Sequence, residues 1–202
     1  VMRLVTSLIF VFVLVSLCAA ETVPELYSQS YSQEYAEGYE QALESMLLIK
    51  SQSDDYLCRL RIGWLLYLLE RNDESVEAYS SAIELHPEAV EPYLGLIMPL
   101  AAQKKWRSVL VAVENVQRND PASYSAMNNK AWALYNLGRY VESADEYRNI
   151  IKLHPADIDM SSGLGWALLK DGNKVEAKLV FEEILRIAPD NISAGEGIID
   201  CQ

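Results

Sequence analysis

The residues of this chain whose types could support catalysis or metal binding are few and widely spaced. His86 and His154 stand far apart in the sequence, each directly before a proline, whereas a structural metal site needs about four ligands close together. The glycine pairs Gly163-x-Gly165 and Gly195-x-Gly197 lack the third glycine of a dinucleotide-binding motif. The sequence therefore predicts no catalytic residue, metal site, cofactor or small-molecule substrate, and we interpret both histidines as turn residues.

A regular series of large side chains is the stronger chemical signal. Trp64, Met98, Trp132 and Trp166 follow one another at a constant interval along the chain. Tryptophan and tyrosine are the side chains most often found as anchors at protein interfaces. The series predicts repeated contacts with a binding partner or repeated contacts between neighbouring structural units, and these two interpretations are compatible.

The same interval separates four prolines, which are Pro87, Pro121, Pro155 and Pro189. Similar windows precede three of them: Ser75-x3-Tyr79-x2-Ala82-x4-Pro87, Ser143-x3-Tyr147-x2-Ile150-x4-Pro155 and Ala177-x3-Phe181-x2-Ile184-x4-Pro189. A period of this length, about 34 residues, is typical of helix-turn-helix repeats that pack only against their neighbours. The prolines therefore predict an array of stacked helix pairs.

Small residues follow the same register. Gly63, Ala131 and Gly165 each precede a leucine by three residues, and those leucines are Leu66, Leu134 and Leu168. In these residues, and in segments 134–147 (LYNLGRYVESADEY) and 164–169 (LGWALL), the chain resembles the tetratricopeptide repeat family. The resemblance implies an all-α fold, a right-handed α-solenoid of antiparallel helix pairs.

The period also sets the expected segment boundaries. We expect a signal peptide at 1–20, a degenerate N-terminal repeat or capping helices at 21–55, full repeats at 56–89, 90–123, 124–157 and 158–191, and a truncated capping helix at 192–202. The repeat at 90–123 is divergent, because Pro99 falls inside its first helix. Proline removes a helical hydrogen bond and clashes with the preceding turn, so we expect a kink that widens the groove beside Met98.

Tyrosines recur every four residues near the start of the expected array, at Tyr27, Tyr31, Tyr35 and Tyr39. This spacing predicts a stripe along one side of a helix that begins near Pro24. We favour packing of the stripe against the first full repeat over a tyrosine-rich binding site.

The first twenty residues resemble a targeting signal. An apolar run from Leu4 to Leu17 follows Arg3 and ends near small residues, which is typical of a secretory signal peptide cleaved before Glu21. An uncleaved membrane anchor at 4–20 and lipidation of Cys18 are the alternatives. The pattern predicts an exported protein, periplasmic or extracellular. The other two cysteines, 58 and 201, lie about four repeats apart, too far for a disulfide.

Charge narrows the range of partners. The net charge is −12, and removal of Arg3 with the signal makes it −13. Such a chain repels nucleic acid and anionic membranes, so we expect no nucleic-acid partner, and a membrane contact only if the signal stays uncleaved. The acidity suits basic partners or the solubility of an extended array.

The resemblance implies that one stripe of each first helix lines a concave groove for partner segments. The residues in that stripe are Leu60, Arg61, Trp64, Tyr67, Leu94, Met98, Asn128, Asn129, Trp132, Tyr135 and Trp166. A clamp for a partner's terminal carboxylate is not expected, because only Asn129 matches the family's clamp residues. Its amide remains suited to a peptide backbone.

The sequence thus predicts a non-enzymatic scaffold that binds protein or peptide segments in this groove. The alternative is a structural or assembly protein that self-associates through its C-terminal end, where the expected cap at 192–202 lacks a polar outer face.

Overall fold

The computed structural model describes residues 21–202, which form eleven α-helices and no strand. The predicted signal peptide falls on residues 1–20, outside the described residues. The helices are α1 (Val23–Tyr35), α2 (Tyr39–Gln52), α3 (Tyr56–Leu68), α4 (Asn72–Leu85), α5 (Glu91–Ala102), α6 (Trp106–Asn119), α7 (Tyr124–Asn136), α8 (Tyr140–Leu153), α9 (Ile158–Lys170), α10 (Lys174–Ile187) and α11 (Ile192–Asp200). Not one of these helices is both long enough and apolar enough to cross a bilayer.

Each helix packs against the next, and the odd-numbered helices from α3 to α11 also approach one another. Over the described residues, the even-numbered helices have no Cα atoms within 8 Å of one another. Since the elements on the inside of a curved array lie closest together, the odd-numbered helices from α3 to α11 form its inner face and the even-numbered helices its outer face. The expectation of an all-α array of helix pairs is confirmed.

The turn inside each helix pair has one geometry throughout. One residue per turn has a positive φ, and these residues are Glu37, Glu70, Lys104, Gly138 and Gly172. The next residue's N–H bonds back to the helix, as Arg71 N does to Leu66 O at 2.9 Å and Asn173 N to Leu168 O at 2.9 Å. This is a Schellman-type helix end, which satisfies orphan carbonyls and reverses the chain in a few residues.

An aromatic ring on the even-numbered helices sets the spacing of the stack. A Cβ atom added to Gly63 would lie 3.0 Å from the ring of Tyr79, and one added to Gly95 would lie 2.2 Å from it. The ring of Phe181 packs in the same way between two glycines. A Cβ atom added to Gly165 would lie 2.5 Å from this ring, and one added to Gly197 would lie 2.4 Å from it. The small residues of the sequence pattern are therefore seats for these rings, one on each side.

The divergent repeat compensates for its size changes. Val113 is the residue of this repeat that is equivalent to Tyr79, and Ile97 is equivalent to Gly63. Both Val113 and Ile97 are buried. At the place of Gly95 stands Asn129, which the smaller valine allows. Total volume is roughly maintained, which is the substitution pattern that packed cores tolerate best.

One local expectation, the tyrosine stripe, is wrong, and another, the kink at Pro99, stays a prediction. Helix α1 ends at Tyr35 and α2 begins at Tyr39, so the four tyrosines do not share one helix, because the chain turns at Gly38. Helix α5 continues through Pro99 to Ala102, and Pro99 is buried. The ring of Tyr79 lies against Gly95, which leaves no room for a side chain there. The expected kink beside Met98 stays a prediction.

Candidate peptide-binding groove

The series of large side chains lies on the inner-face helices, one on each of α3, α5, α7 and α9. Trp64 is 39% exposed, Met98 44% and Trp132 40%, whereas Trp166 is half-buried. Exposure of this extent leaves a large apolar surface available to a partner. Each tryptophan also contacts a neighbouring helix, in three different ways.

Trp64 is tied to the first helix pair through a glutamate. Its indole Nε1 donates a hydrogen bond of 2.6 Å to Glu34 Oε1, and Arg61 Nη1 lies 2.5 Å from the other oxygen of the same carboxylate. The Arg61 guanidinium also lies 3.9 Å from the ring centroid of Tyr31. The sequence placed Arg61 among the polar groups of the groove, but the structure buries it between α1 and α3.

These side chains span a gap, because no Cα atom of α1 lies within 8 Å of α3. The gap contains an open cavity of about 390 Å³, lined by the aromatic residues Tyr31, Tyr35, Tyr39 and Trp64 together with Glu34, Arg61 and Leu68. Tyr35 is 94% exposed. The tyrosines therefore divide between packing, as for half-buried Tyr27, which lies against the buried core of α1, α2 and α3, and exposure at this end of the groove.

Trp132 packs against a second tryptophan. Its ring lies edge-on to that of Trp106, at the start of α6, with 4.8 Å between the ring centroids. Edge-to-face geometry is the favoured arrangement for such pairs. Despite this contact, Trp132 remains 40% exposed on α7.

Trp166 connects α9 to α11. Its indole Nε1 donates a hydrogen bond of 2.8 Å to Ser193 Oγ. This hydroxyl also lies 2.7 Å from Ser162 Oγ. The ring also packs edge-on against Phe181, with 5.5 Å between centroids. Trp166 therefore bridges two inner-face helices and offers less surface to a partner than Trp64 or Trp132.

The remaining stripe residues are divided between packing and exposure. Leu60 and Leu94 are half-buried against the buried core formed by α4, α5, α6 and α7. Tyr67 lies beside Trp64 with 5.8 Å between ring centroids. Tyr135 packs edge-on against Tyr140 at 5.4 Å.

The two asparagines of the stripe are both half-buried. Asn129 Nδ2 donates a hydrogen bond of 2.8 Å to the backbone carbonyl of Ser125 on the same helix. The side-chain oxygen of Asn129 is therefore the group suited to accept a hydrogen bond from a peptide N–H. Asn128, its neighbour on α7, is half-buried in the same stripe.

Both histidines lie exposed in the turns between helix pairs. His86 packs edge-on against Tyr56 at 4.8 Å, and His154 against Tyr124 at 5.1 Å. The Tyr124 hydroxyl donates a hydrogen bond of 2.6 Å to Asp157. This hydrogen bond raises the pKa of Tyr124 to about 12. Within residues 21–202 no group of three or more His, Cys, Asp or Glu side chains is placed to hold a metal ion.

Sequence reasoning missed three partners of the tryptophans. Glu34 lies in the opening helix pair, where the repeat register has no match; Trp106 lies on an outer-face helix and Ser193 on the last helix. The one available signal was position: Ser193 follows Trp166 by less than one repeat, in the next inner-face helix.

Sequence profiles and solved structures agree with this architecture. Profiles described as tetratricopeptide repeat match residues 58–89, 100–158 and 142–192. A tetratricopeptide repeat protein from Parabacteroides merdae superposes with a TM-score of 0.82 at 16% identity, covering 89% of this chain and 72% of the other. MamA from Desulfovibrio magneticus RS-1 superposes with a TM-score of 0.78 at 16% identity, covering 84% of this chain and 97% of that one. No curated protein matches the sequence significantly.

The fold defines a class of helical repeat protein in which each helix pair packs only against its neighbours. The chain belongs to the tetratricopeptide repeat family. Membership confirms the resemblance read from the prolines and small residues, and it supports a protein-interaction scaffold. The solved structures are under one-fifth identical and show the fold alone.

Proposed function

We propose that this chain is a non-enzymatic scaffold that binds a protein or peptide segment along its inner face, with Trp64, Met98 and Trp132 as the main contacts. The observation that supports this most directly is their exposure of 39%, 44% and 40% on consecutive inner-face helices. Interface anchors of this type provide most of the binding energy when a partner covers them.

Exposed aromatic surface around the α1–α3 cavity extends this series. Tyr35, Tyr31 and Trp64 continue the apolar surface beyond α3, so the proposed groove extends from α1 to α9. Since neighbouring helices pack about 10 Å apart, a segment in extended conformation that rises about 3.3 Å per residue would pass one anchor every few residues.

Photo-crosslinking in the native cell tests which face is bound. A photoreactive residue replacing Met98, on the inner face, should capture a partner; one replacing Val141, 56% exposed on α8, is the matched control. Capture at position 98 and its absence at position 141 support the groove. Equal capture at both positions, or capture at position 141 alone, would contradict it.

We also propose that the chain is exported. The apolar run Leu4–Leu17 behind Arg3 supports this. Mass measurement of the chain recovered from fractionated native cells tests it: a chain that starts at Glu21 in the periplasmic or secreted fraction supports export, and a chain retaining residues 1–20 in the cytosolic fraction contradicts it.

Self-association is the second candidate function. Helix α11 exposes two isoleucines, Ile192 at 77% and Ile199 at 66%, and Cys201 beside them is half-buried. Paired apolar side chains on one helix are a typical start for a contact between copies. A mass that rises with concentration, and that falls to the monomer value in Ile192→Gln/Ile199→Gln, supports this function; a monomer at every concentration contradicts it.

A further inference from the structure

The outer face carries a series of furrows, each between two consecutive even-numbered helices with an inner-face helix as its floor. The furrow between α2 and α4 encloses about 420 Å³ and that between α4 and α6 about 280 Å³. The furrow between α8 and α10 encloses about 610 Å³. That volume is in the range of ligand-binding pockets, which is about 300–1,000 Å³.

Aliphatic side chains form the walls and floor of the α8–α10 furrow. Ile158 and Leu164 of α9 lie at its floor, and the walls are Ile151 of α8 and Leu179, Val180, Ile184 and Ile187 of α10. Leu179 is 61% exposed and Ile187 60%. Exposed aliphatic surface around a concave site of this size is typical of an interaction site.

The preceding repeat shows what fits such a furrow. In the α6–α8 furrow, Lys130 and Glu146 stand one repeat before Leu164 and Val180, at the equivalent positions. Lys130 Nζ lies 2.6 Å from Glu146 Oε1, and the lysine side chain is only 31% exposed. There the aliphatic stem of a lysine covers the floor and its ammonium meets a carboxylate. The α8–α10 furrow has neither of these two groups.

Acidic groups lie at the rim of the α8–α10 furrow. Its lining contains Asp157, Glu176 and Glu183 and no basic residue. Glu176 precedes Val180 by four residues and Glu183 follows it by three, so both carboxylates lie on the same side of α10 as the valine. Arg148 and Arg186, outside the lining, pair with Glu176 and Glu183. Arg186 donates to both oxygens of Glu183, and Arg148 and Asn173 each donate to one oxygen of Glu176. Each carboxylate oxygen has a second lone pair, so a lysine ammonium can join these surface pairs.

We propose that the furrow between α8 and α10 binds an aliphatic segment of a partner protein that carries a lysine. The lysine stem lies over Leu164 and Val180, as Lys130 does in the neighbouring furrow, and its ammonium lies between Glu176 and Glu183. The site is on the opposite face from the inner groove and does not depend on it.

A transplant of the neighbouring ion pair tests the proposal on the full chain. Leu164→Lys/Val180→Glu leaves the net charge unchanged and fills the furrow with the pair that the preceding repeat already accommodates. The probe is a labelled amphipathic helix of leucine and lysine, about 14 residues long, followed by fluorescence anisotropy. The variant should lose at least tenfold in affinity. Unchanged affinity overturns the proposal.

The reverse variant is the matched control. Lys130→Leu/Glu146→Val, also neutral in net charge, opens the α6–α8 furrow and should bind at least as much probe as the wild type. If the transplant variant fails to fold, Leu179→Gln/Ile187→Gln replaces it, since both side chains are mostly exposed; a loss of binding supports the proposal and unchanged binding overturns it.

Two further comparisons separate this site from general attraction and from the inner groove. A probe with acetylated lysines should bind at least tenfold more weakly, and equal binding overturns the role of the carboxylates. Met98→Ala/Trp132→Ala, altered on the inner face, should bind the probe as the wild type does. Loss of probe in that variant alone overturns the assignment to the outer face.

Discussion

Trp166 and Ser193 are joined by a hydrogen bond of 2.8 Å that ties the inner face of α9 to α11. The same serine oxygen lies 2.7 Å from Ser162 Oγ, so one hydroxyl connects two polar groups of α9. Trp166 is therefore partly structural, whereas Trp64 and Trp132 keep more surface for a partner.

Ser193→Ala should loosen α11 without unfolding the array. Loss of one partly buried hydroxyl that bonds two groups costs about 1 kcal/mol. Amide hydrogen exchange should become several-fold faster in α11 and stay unchanged in α3. Ser80→Ala, on the exposed surface of α4, is the control; equal effects of both substitutions would show that the bond is unimportant.

Replacing each of two glycines in α11 by alanine should change the free energy of unfolding in opposite directions. A Cβ at Gly197 would lie 2.4 Å from the Phe181 ring, whereas a Cβ at Gly195 meets nothing within 4 Å. Gly197→Ala should destabilise by about 1–3 kcal/mol through overpacking, and Gly195→Ala should stabilise by up to about 1 kcal/mol through helix propensity. The urea midpoint measures both, and a stabilising Gly197→Ala would contradict the seat assigned to Phe181.

An aromatic ring at the position where the neighbouring repeats have one should destabilise the divergent repeat. Val113→Tyr places a ring against Ile97 and Asn129, where the other repeats have small residues, and should lower the free energy of unfolding by about 1–3 kcal/mol. Ile97→Gly/Val113→Tyr/Asn129→Gly restores the seat and should unfold at higher urea than Val113→Tyr alone. A triple variant less stable than the single one would contradict the compensation.

Alkaline pH should unfold the array through its seated tyrosines. Burial raises the pKa of Tyr79 and of Tyr147 to about 12, above the ordinary value of about 10. Because the folded state disfavours the phenolate, this stability is complete below pH 10 and is lost as pH rises toward 12. Tyr79→Phe/Tyr147→Phe should keep its helical circular dichroism to higher pH than the wild type, and identical loss would contradict this.

Much of the fold could be predicted because the constant interval between the prolines fixes which residues are equivalent. The small residues at Gly63 and Gly165 and the aromatic side chains at Tyr79 and Phe181 then follow as packing partners. The exposed series at Trp64, Met98 and Trp132 follows from the same register, since one helix position always faces the same side.

The rest required the packing of specific side chains. The burial of Arg61 depends on Glu34, and that glutamate lies where the register has no match. The pairing of Trp132 with Trp106 joins two positions that no periodicity connects. The α8–α10 furrow depends on Leu164 and Val180 replacing an ion pair, a difference that has meaning only once the furrows are seen to be equivalent.

The affinity of the crosslinked partner segment for variants of each face tests the central claim most directly. Met98→Ala/Trp132→Ala should weaken binding at least tenfold, the loss expected for one interface anchor worth about 1.4 kcal/mol or more. Val141→Ala/Val175→Ala, which removes still more exposed apolar side chains from α8 and α10, should leave affinity unchanged. Equal affinity for the wild type and the inner-face variant, or a loss confined to the outer-face variant, would contradict binding in the groove.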